Sequence, residues 1–154
     1  MQVHEGMNSS VLTVGPSHTL RDVARLMSER KVGAAVVIDP DSAGPGIITE
    51  RDILLSIAAG QDPDAEAVGE HLTRDVVYAA RDWSLEDAAA AMVRGGFRHL
   101  IVLEHGEAIG ILSVRDIVRL SVEANPTDIA APLRNGATTR EEWLKGIAAS
   151  GLKL

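Results

Sequence analysis

The chain contains an internal repeat, and this feature limits the folds open to it more than any other. Displacing the sequence by 65 residues places the apolar run 35–38 on the apolar run 100–103. After a turn that is one residue longer in the first copy, the displacement becomes 64. Residues 46–54 then match residues 110–118, with five of the nine positions identical. Such a chain is expected to fold as two related units that cover each other.

The residue pattern of each unit predicts the element order β-α-β-β-α. In the first, a short strand at 11–14 leads to a helix whose apolar residues recur at i, i+3, i+4 and i+7. Turn residues separate two further strands, 34–38 and 46–49, and a second helix begins at Thr49 or Glu50. One unit cannot cover both faces of its sheet. We therefore expect one α/β (α+β) domain of two halves related by an approximate twofold axis.

The sequence predicts four parts in order: the first repeat at 1–60, a linker at 61–67, the second repeat at 68–122 and a tail at 123–154. In the tail, Thr139 and Glu142 have the spacing of a capping box, and an apolar stripe follows them. This pattern predicts a helix near 139–149, which we expect to pack on this subunit or on its partner.

Composition excludes several classes of function. The chain has no cysteine, which excludes disulfides, a thiolate nucleophile and cysteine zinc sites, and its five histidines show no metal-ligand spacing. A net charge of −7 argues against binding to nucleic acid or to an anionic membrane. With no signal-peptide pattern, we expect a cytoplasmic protein. With no nucleophile–base pair and no glycine-rich phosphate loop, we expect no enzyme activity.

Two segments place a hydroxyl and an aspartate at the same spacing, Thr49-x-x-Asp52 and Ser113-x-x-Asp116. Each ends a strand and opens a helix, where free backbone N–H groups favour an anion. An aspartate one turn further along suits the vicinal hydroxyls of a sugar. For a single copy of this pattern, ordinary helix capping is the better explanation. Two copies at equivalent positions favour a site for ribose and its phosphate.

These motifs resemble the G-h-h-[ST]-x-x-D signature of CBS domains, and two units in tandem are similar to a CBS domain pair, or Bateman module. The resemblance covers about 3–122. It implies two clefts between the halves that bind AMP, ADP, ATP or S-adenosylmethionine. It also implies dimerisation, with no cofactor required.

The resemblance implies binding roles for residues of both units. The two motif aspartates would hold the ribose hydroxyls, and the two motif hydroxyls would hold ribose or phosphate. The first-strand residues of each unit would line the adenine. Arg115, the arginine of the second motif, would point towards phosphate. The resulting candidate site residues are Val11, Leu12, Thr49, Asp52, Val76, Val77, Arg98, His99, Ile111, Ser113, Arg115 and Asp116.

The units differ just before their second strand. The first has Gly33 and Ala34, whereas the second has Arg98 and His99. Phosphate-binding members of the family often carry basic residues at this position, although an exposed strand start explains the pair equally well. We expect Arg98 and His99 to belong to the cleft of the second motif, which would then bind a phosphorylated ligand more tightly than the first.

Together these features predict a non-catalytic regulatory module that senses an adenosine nucleotide and forms a homodimer. Its signal would pass to a regulated protein that the sequence does not identify. The alternative is a dimeric interaction or scaffold protein whose clefts hold no nucleotide. The intact hydroxyl and aspartate of both motifs favour the sensor.

Overall fold

The computed structural model describes residues 1–124, 139, 141, 142, 144 and 145. The chain divides into two compact units, residues 1–114 and residues 115–154. The first unit contains both sheets, and the second contains most of the last helix of the second repeat.

The order β-α-β-β-α predicted for both repeats is present. In the first repeat, a short helix precedes the five elements: α1 (Val3–Gly6), β1 (Thr13–Val14), α2 (Leu20–Arg30), β2 (Ala34–Val37), β3 (Gly46–Thr49) and α3 (Glu50–Ala58). In the second, a single 3-10 turn (Val68–Glu70) takes the place of the short helix, followed by β4 (Tyr78–Ala80), α4 (Leu85–Gly95), β5 (His99–Glu104), β6 (Glu107–Ser113) and α5 (Val114–Ala124).

The two sheets have the same topology. In the order β1-β2-β3, the first strand pairs with the second in parallel and the second with the third in antiparallel. The order β4-β5-β6 repeats this pattern. Val36 lies opposite Ile47 in one sheet, and Ile101 lies opposite Ile111 in the other. The repeat seen in the sequence is therefore a repeat of strand register.

Equivalent caps begin the first long helix of each repeat. The Thr19 hydroxyl accepts a hydrogen bond from the Asp22 N–H at 3.1 Å, and the Ser84 hydroxyl accepts one from the Asp87 N–H at 3.0 Å. Thr19 is the N-cap residue of α2. At its other end α4 stops at Gly96, whose φ of 68° favours glycine.

Aliphatic residues fill two cores in the first unit. The buried face of α2, with Leu20, Val23 and Met27, packs on the sheet of its own repeat. A second cluster joins the repeats, because Val36 and Ile47 of the first sheet pack with Ile101 of the second. The second cluster therefore packs the two sheets against each other.

The segments at the start of the two repeats, which we call the lead-ins (residues 2–10 and 67–75), each form main-chain hydrogen bonds with the other repeat. Thr73 of the second lead-in pairs with Ile47 of the first repeat, with N–H to O distances of 3.0 and 2.8 Å. Asn8 of the first lead-in pairs in the same way with Ile111 of the second repeat. Each lead-in therefore extends the sheet of the other repeat.

The second unit is described only in part. Asp116 lies in the first turn of α5, 3.9 Å from Arg119. In the tail, the Thr139 N–H donates to Glu142 Oε2 at 3.0 Å, and the Glu142 N–H donates to Thr139 Oγ1 at 3.2 Å. These are the reciprocal bonds of a capping box. Most of the helix expected near 139–149, with its apolar stripe, lies outside the described residues.

Large apolar side chains remain exposed on helices of the first unit. Leu54, Leu55 and Ile57 of α3 are more than half exposed, and Val93 of α4 is 82% exposed. Within the described residues, no helix combines the length and the apolar character needed to cross a membrane.

Candidate functional site

A cleft in the first unit lies where the first motif meets the second repeat. It is lined by Ile47, Thr49, Arg51, Asp52, Thr73, Asp75, Val76, Val77, Gly96, Phe97, Arg98 and His99. Of the twelve candidate residues from the sequence, this cleft brings six together: Thr49, Asp52, Val76, Val77, Arg98 and His99.

Thr49 and Asp52 form the N-terminal cap of α3. Asp52 Oδ2 accepts hydrogen bonds from the Thr49 N–H at 2.8 Å and from the Thr49 hydroxyl at 3.0 Å. The capping interpretation of the motif is thus present in the structure. Asp52 Oδ1 accepts no hydrogen bond from any residue that the structure describes. The cap uses one carboxylate oxygen, so the other is left for a hydroxyl in the cleft.

The second lead-in and β4 form an opposing wall. The main-chain pair between Thr73 and Ile47 fixes the start of this wall beside β3. Val76 is partly buried against the cluster shared by the sheets, and Val77 is 46% exposed. An apolar wall facing a carboxylate suits a ligand with a flat apolar part and a hydroxylated part.

Two side chains that flank the wall residues and do not line the cleft connect the wall to the first repeat. Arg74 Nη1 lies 2.8 Å from Asp39 Oδ2, and the Tyr78 hydroxyl donates to the Pro45 carbonyl at 2.5 Å. The hydrogen bond from Arg74 lowers the pKa of Asp39, with help from the Asp41 N–H, and burial raises the pKa of Tyr78. The wall is therefore anchored to the turn between β2 and β3.

Arg98 brings positive charge to this cleft, and the imidazole of His99 lies beside it. Arg98 Nη2 lies 3.8 Å from Glu50 Oε1 at the start of α3. A Cβ atom at Gly33 would lie 3.3 Å from His99 Nε2 and 3.3 Å from Glu50 Oε1. Both basic side chains therefore lie close to the first repeat.

Arg98 and His99 line the cleft of Thr49 and Asp52, whereas the sequence led us to expect them in the cleft of the second motif. The reason is strand alternation. Residues two apart on a strand share a face, so His99 shares a face with Ile101. Ile101 packs against Val36 and Ile47 of the first repeat, and His99 faces the same repeat.

The other candidate residues lie elsewhere. Leu12 is buried in the core of the first repeat, while Val11 and Ile111 pack against the cluster shared by the sheets. Ser113 ends β6, directly opposite His99 in the ladder. In the second compact unit, Arg115 and Asp116 lie in the first turn of α5.

Six lining residues were not among the candidates: Ile47, Arg51, Thr73, Asp75, Gly96 and Phe97. Ile47 and Arg51 lie within the first motif segment, whereas Asp75 and Phe97 are part of no motif. Asp75 had one signal, since it directly precedes a predicted strand that was itself assigned to the site.

A second group of polar side chains lies at the beginning of the second lead-in, with Glu66 directly before it. Glu66, Glu70 and His71 place their ligand atoms within 4.8 Å of one another, and His71 Nε2 lies 2.6 Å from Glu66 Oε2. The histidine spacings in the sequence did not indicate this group. The direct contact between His71 and Glu66 accounts for their positions without an ion.

Comparison with known proteins identifies the repeats. A family model described as the CBS domain matches residues 2–59 and again residues 68–123. An uncharacterized 17.7 kDa protein from Acidianus ambivalens is 35% identical over 132 residues, or 85% of this chain and 79% of that protein. The chain spans less than half the length of several other relatives.

Solved structures show the same fold. A CBS-domain containing protein from Agrobacterium tumefaciens matches with a TM-score of 0.71 at 31% identity, over 78% of this chain and 92% of that chain. A CBS domain protein from Pyrobaculum aerophilum, solved in complex with AMP, matches with a TM-score of 0.69 at 26% identity, over 81% and 100%. The resemblance seen in the sequence is confirmed: the chain belongs to the CBS domain family and carries two CBS domains in tandem, the arrangement of a Bateman module.

Proposed function

We propose that this chain is a non-catalytic regulatory module that binds an adenosine nucleotide in the cleft of Thr49 and Asp52. One observation carries the proposal: a single cleft combines an apolar wall, an aspartate oxygen free of other described partners and a pair of basic side chains. These three surfaces suit the base, the ribose and the phosphate of a nucleotide.

The comparisons support the ligand class. The Pyrobaculum aerophilum protein, of the same family, was solved with AMP. A net charge of −7 repels an anion over long distances, so local donors must supply the attraction. Arg98 and His99 are such donors, and charge-assisted hydrogen bonds to phosphate are about twice as strong as neutral ones.

We further propose that this cleft holds the tighter phosphate site. The residues of the second motif, Ser113, Arg115 and Asp116, keep the role in ribose and phosphate binding that the resemblance implies. The positions equivalent to Arg98 and His99 are Gly33 and Ala34, which carry no charge. A second site lined by Gly33 and Ala34 would lack the basic side chains that Arg98 and His99 supply to the first.

We propose a homodimer formed through the repeat helices, working in the cytoplasm on a regulated protein. Leu54, Leu55 and Ile57 leave an apolar face on α3, and such faces mark interaction surfaces. The same face favours the second candidate function, a dimeric scaffold whose clefts hold no nucleotide. Sedimentation that shows a monomer at micromolar concentration, with and without nucleotide, would contradict the dimer.

A ligand screen with two matched variants tests the nucleotide site. Asp52→Ala and Asp87→Ala each remove the aspartate that closes a helix cap, because Asp87 forms the same cap with Ser84. Asp87 does not line the cleft. With AMP, ADP, ATP, NAD and S-adenosylmethionine in turn, a true ligand at a hundred times its Kd adds about 2.7 kcal/mol to the unfolding free energy.

We expect Asp87→Ala to keep this ligand-induced gain and Asp52→Ala to lose most of it. Calorimetry measures the affinities directly. If both variants bind like the unsubstituted chain, the nucleotide site is not in this cleft. If no compound binds any of the three proteins, the scaffold function is favoured.

A further inference from the structure

Glu50 stands at the edge of the cleft without a role in the nucleotide site described above. It is the first residue of α3, and its N–H donates to the Gly33 carbonyl at 3.0 Å. This bond fixes the backbone, so the carboxylate extends from a defined point.

The carboxylate of Glu50 lies near both basic side chains of the cleft. Its Oε1 atom is 3.8 Å from Arg98 Nη2. His99 Nε2 and Glu50 Oε1 are each 3.3 Å from the point where a Gly33 Cβ would be, so at most 6.6 Å separates them. Glycine at position 33 keeps the space between these groups open.

The pair of Glu50 and Arg98 is weak enough to open. The two side chains are 61% and 59% exposed, and exposed ion pairs contribute little to stability. A phosphate offers Arg98 more acceptor oxygens and more charge than one carboxylate. A phosphate that approaches Arg98 also meets the negative charge of Glu50.

We propose that Glu50 is an internal competitor for the anionic end of the ligand: its carboxylate occupies Arg98 in the empty cleft, and a phosphate must displace it. This proposal rests on the proposed function and adds a determinant of specificity to it. Because repulsion grows with ligand charge, Glu50 lowers the affinity for ATP more than for AMP and leaves adenosine unaffected.

Calorimetry on Glu50→Gln tests the competition. Position 50 is exposed, so the variant should fold, which a thermal melt checks. We expect ATP to bind about two- to fivefold more tightly than to the unsubstituted chain, the range that an exposed ion pair allows. The gain should be smaller for AMP and absent for adenosine.

Two further variants separate competition from other effects. Glu104→Gln removes the same charge from another exposed ion pair, with Arg81, and should leave every affinity unchanged. In the double variant Glu50→Gln/Arg98→Gln, the gain over Arg98→Gln alone should fall to the smaller part that charge repulsion by Glu50 accounts for. If Glu50→Gln weakens nucleotide binding, Glu50 positions Arg98 and the competition is refuted. The competition is equally refuted if the gain is undiminished without Arg98.

Inorganic tripolyphosphate distinguishes this proposal from the nucleotide proposal. If no adenosine compound binds, the proposed function fails, but the competition at Arg98 still predicts tighter tripolyphosphate binding to Glu50→Gln. Equal binding to both proteins, or binding to neither, overturns the role of Glu50.

Discussion

The two repeats have the same backbone plan but contribute differently to the described cleft. The first repeat supplies Thr49 and Asp52, and the second supplies Arg98, His99 and the apolar wall. The cleft is therefore a property of the pair. Arg98 and His99 therefore lie beside the motif of the other repeat in this cleft.

The difference arises from one pair of positions. Gly33 in the first repeat lies close to Glu50 and His99, in space that a larger side chain would fill. At the equivalent position the second repeat has Arg98. The duplicated sequence thus contains the hydroxyl–aspartate motif twice but the basic residues Arg98 and His99 only once. The two proposed sites differ in charge for this reason.

Removing equivalent core leucines tests the structural equality of the repeats. Leu20 of α2 is fully buried and Leu85 of α4 is 7% exposed. We expect Leu20→Ala and Leu85→Ala each to lower the unfolding free energy by about 2–5 kcal/mol, through lost burial and a residual cavity. Urea denaturation measures this loss, and Val93→Ala, at an 82% exposed site on α4, should cost little. A negligible cost for one leucine would show that the cores are not equivalent.

Replacing the motif aspartates tests the functional inequality. We expect Asp52→Ala to weaken the tightest nucleotide site by about 1.5–3 kcal/mol, or roughly ten- to a hundredfold, since a contact to a charged group is lost. Asp116→Ala should leave that site unchanged. Calorimetry decides between them, and the reverse result would restore the assignment expected from the sequence.

Making the repeats alike before their second strands sharpens the comparison. Arg98→Gly together with His99→Ala gives the second repeat the residues of the first. We expect AMP to bind about tenfold more weakly, a cost of about 1.4 kcal/mol, because donors to phosphate are lost. Adenosine should bind as before, so equal losses for AMP and adenosine in the same titrations would point to a structural effect.

Low pH should lower the stability of the fold only slightly through the ion pairs of the two repeats. Hydrogen bonds from Arg74 and Arg81 lower the pKa of Asp39 and of Glu104. Each ion pair therefore stabilises the fold above the unfolded pKa, and this contribution is lost as the pH falls through the folded pKa. We expect Arg74→Gln to lower the Tm slightly at pH 7 and less at pH 3. A Tm difference that grows in acid would contradict this.

The local structure was predictable from the sequence because its causes are local. The strand and helix order, the Thr19 cap and the position of Thr49 and Asp52 at the start of α3 follow from periodicity and capping. The cleft to which Arg98 and His99 belong depends instead on how one sheet packs on the other. No sequence period encodes that packing.

The alternation of side chains along a strand carries part of the missing information about packing. Of two residues in equivalent positions of the repeats, Leu12 is buried in a core and Val77 lines the cleft, so similarity in sequence did not ensure the same environment. The face shared by His99 and the apolar Ile101 indicated a direction towards a partner sheet.

The exchanged lead-ins make each repeat an incomplete half. Without its neighbour, the first repeat would lose the main-chain partner of Ile47 and the second that of Ile111, and each sheet would present a free edge. We therefore expect neither repeat to fold stably on its own. A change that disrupts one lead-in should destabilise the sheet of the other repeat.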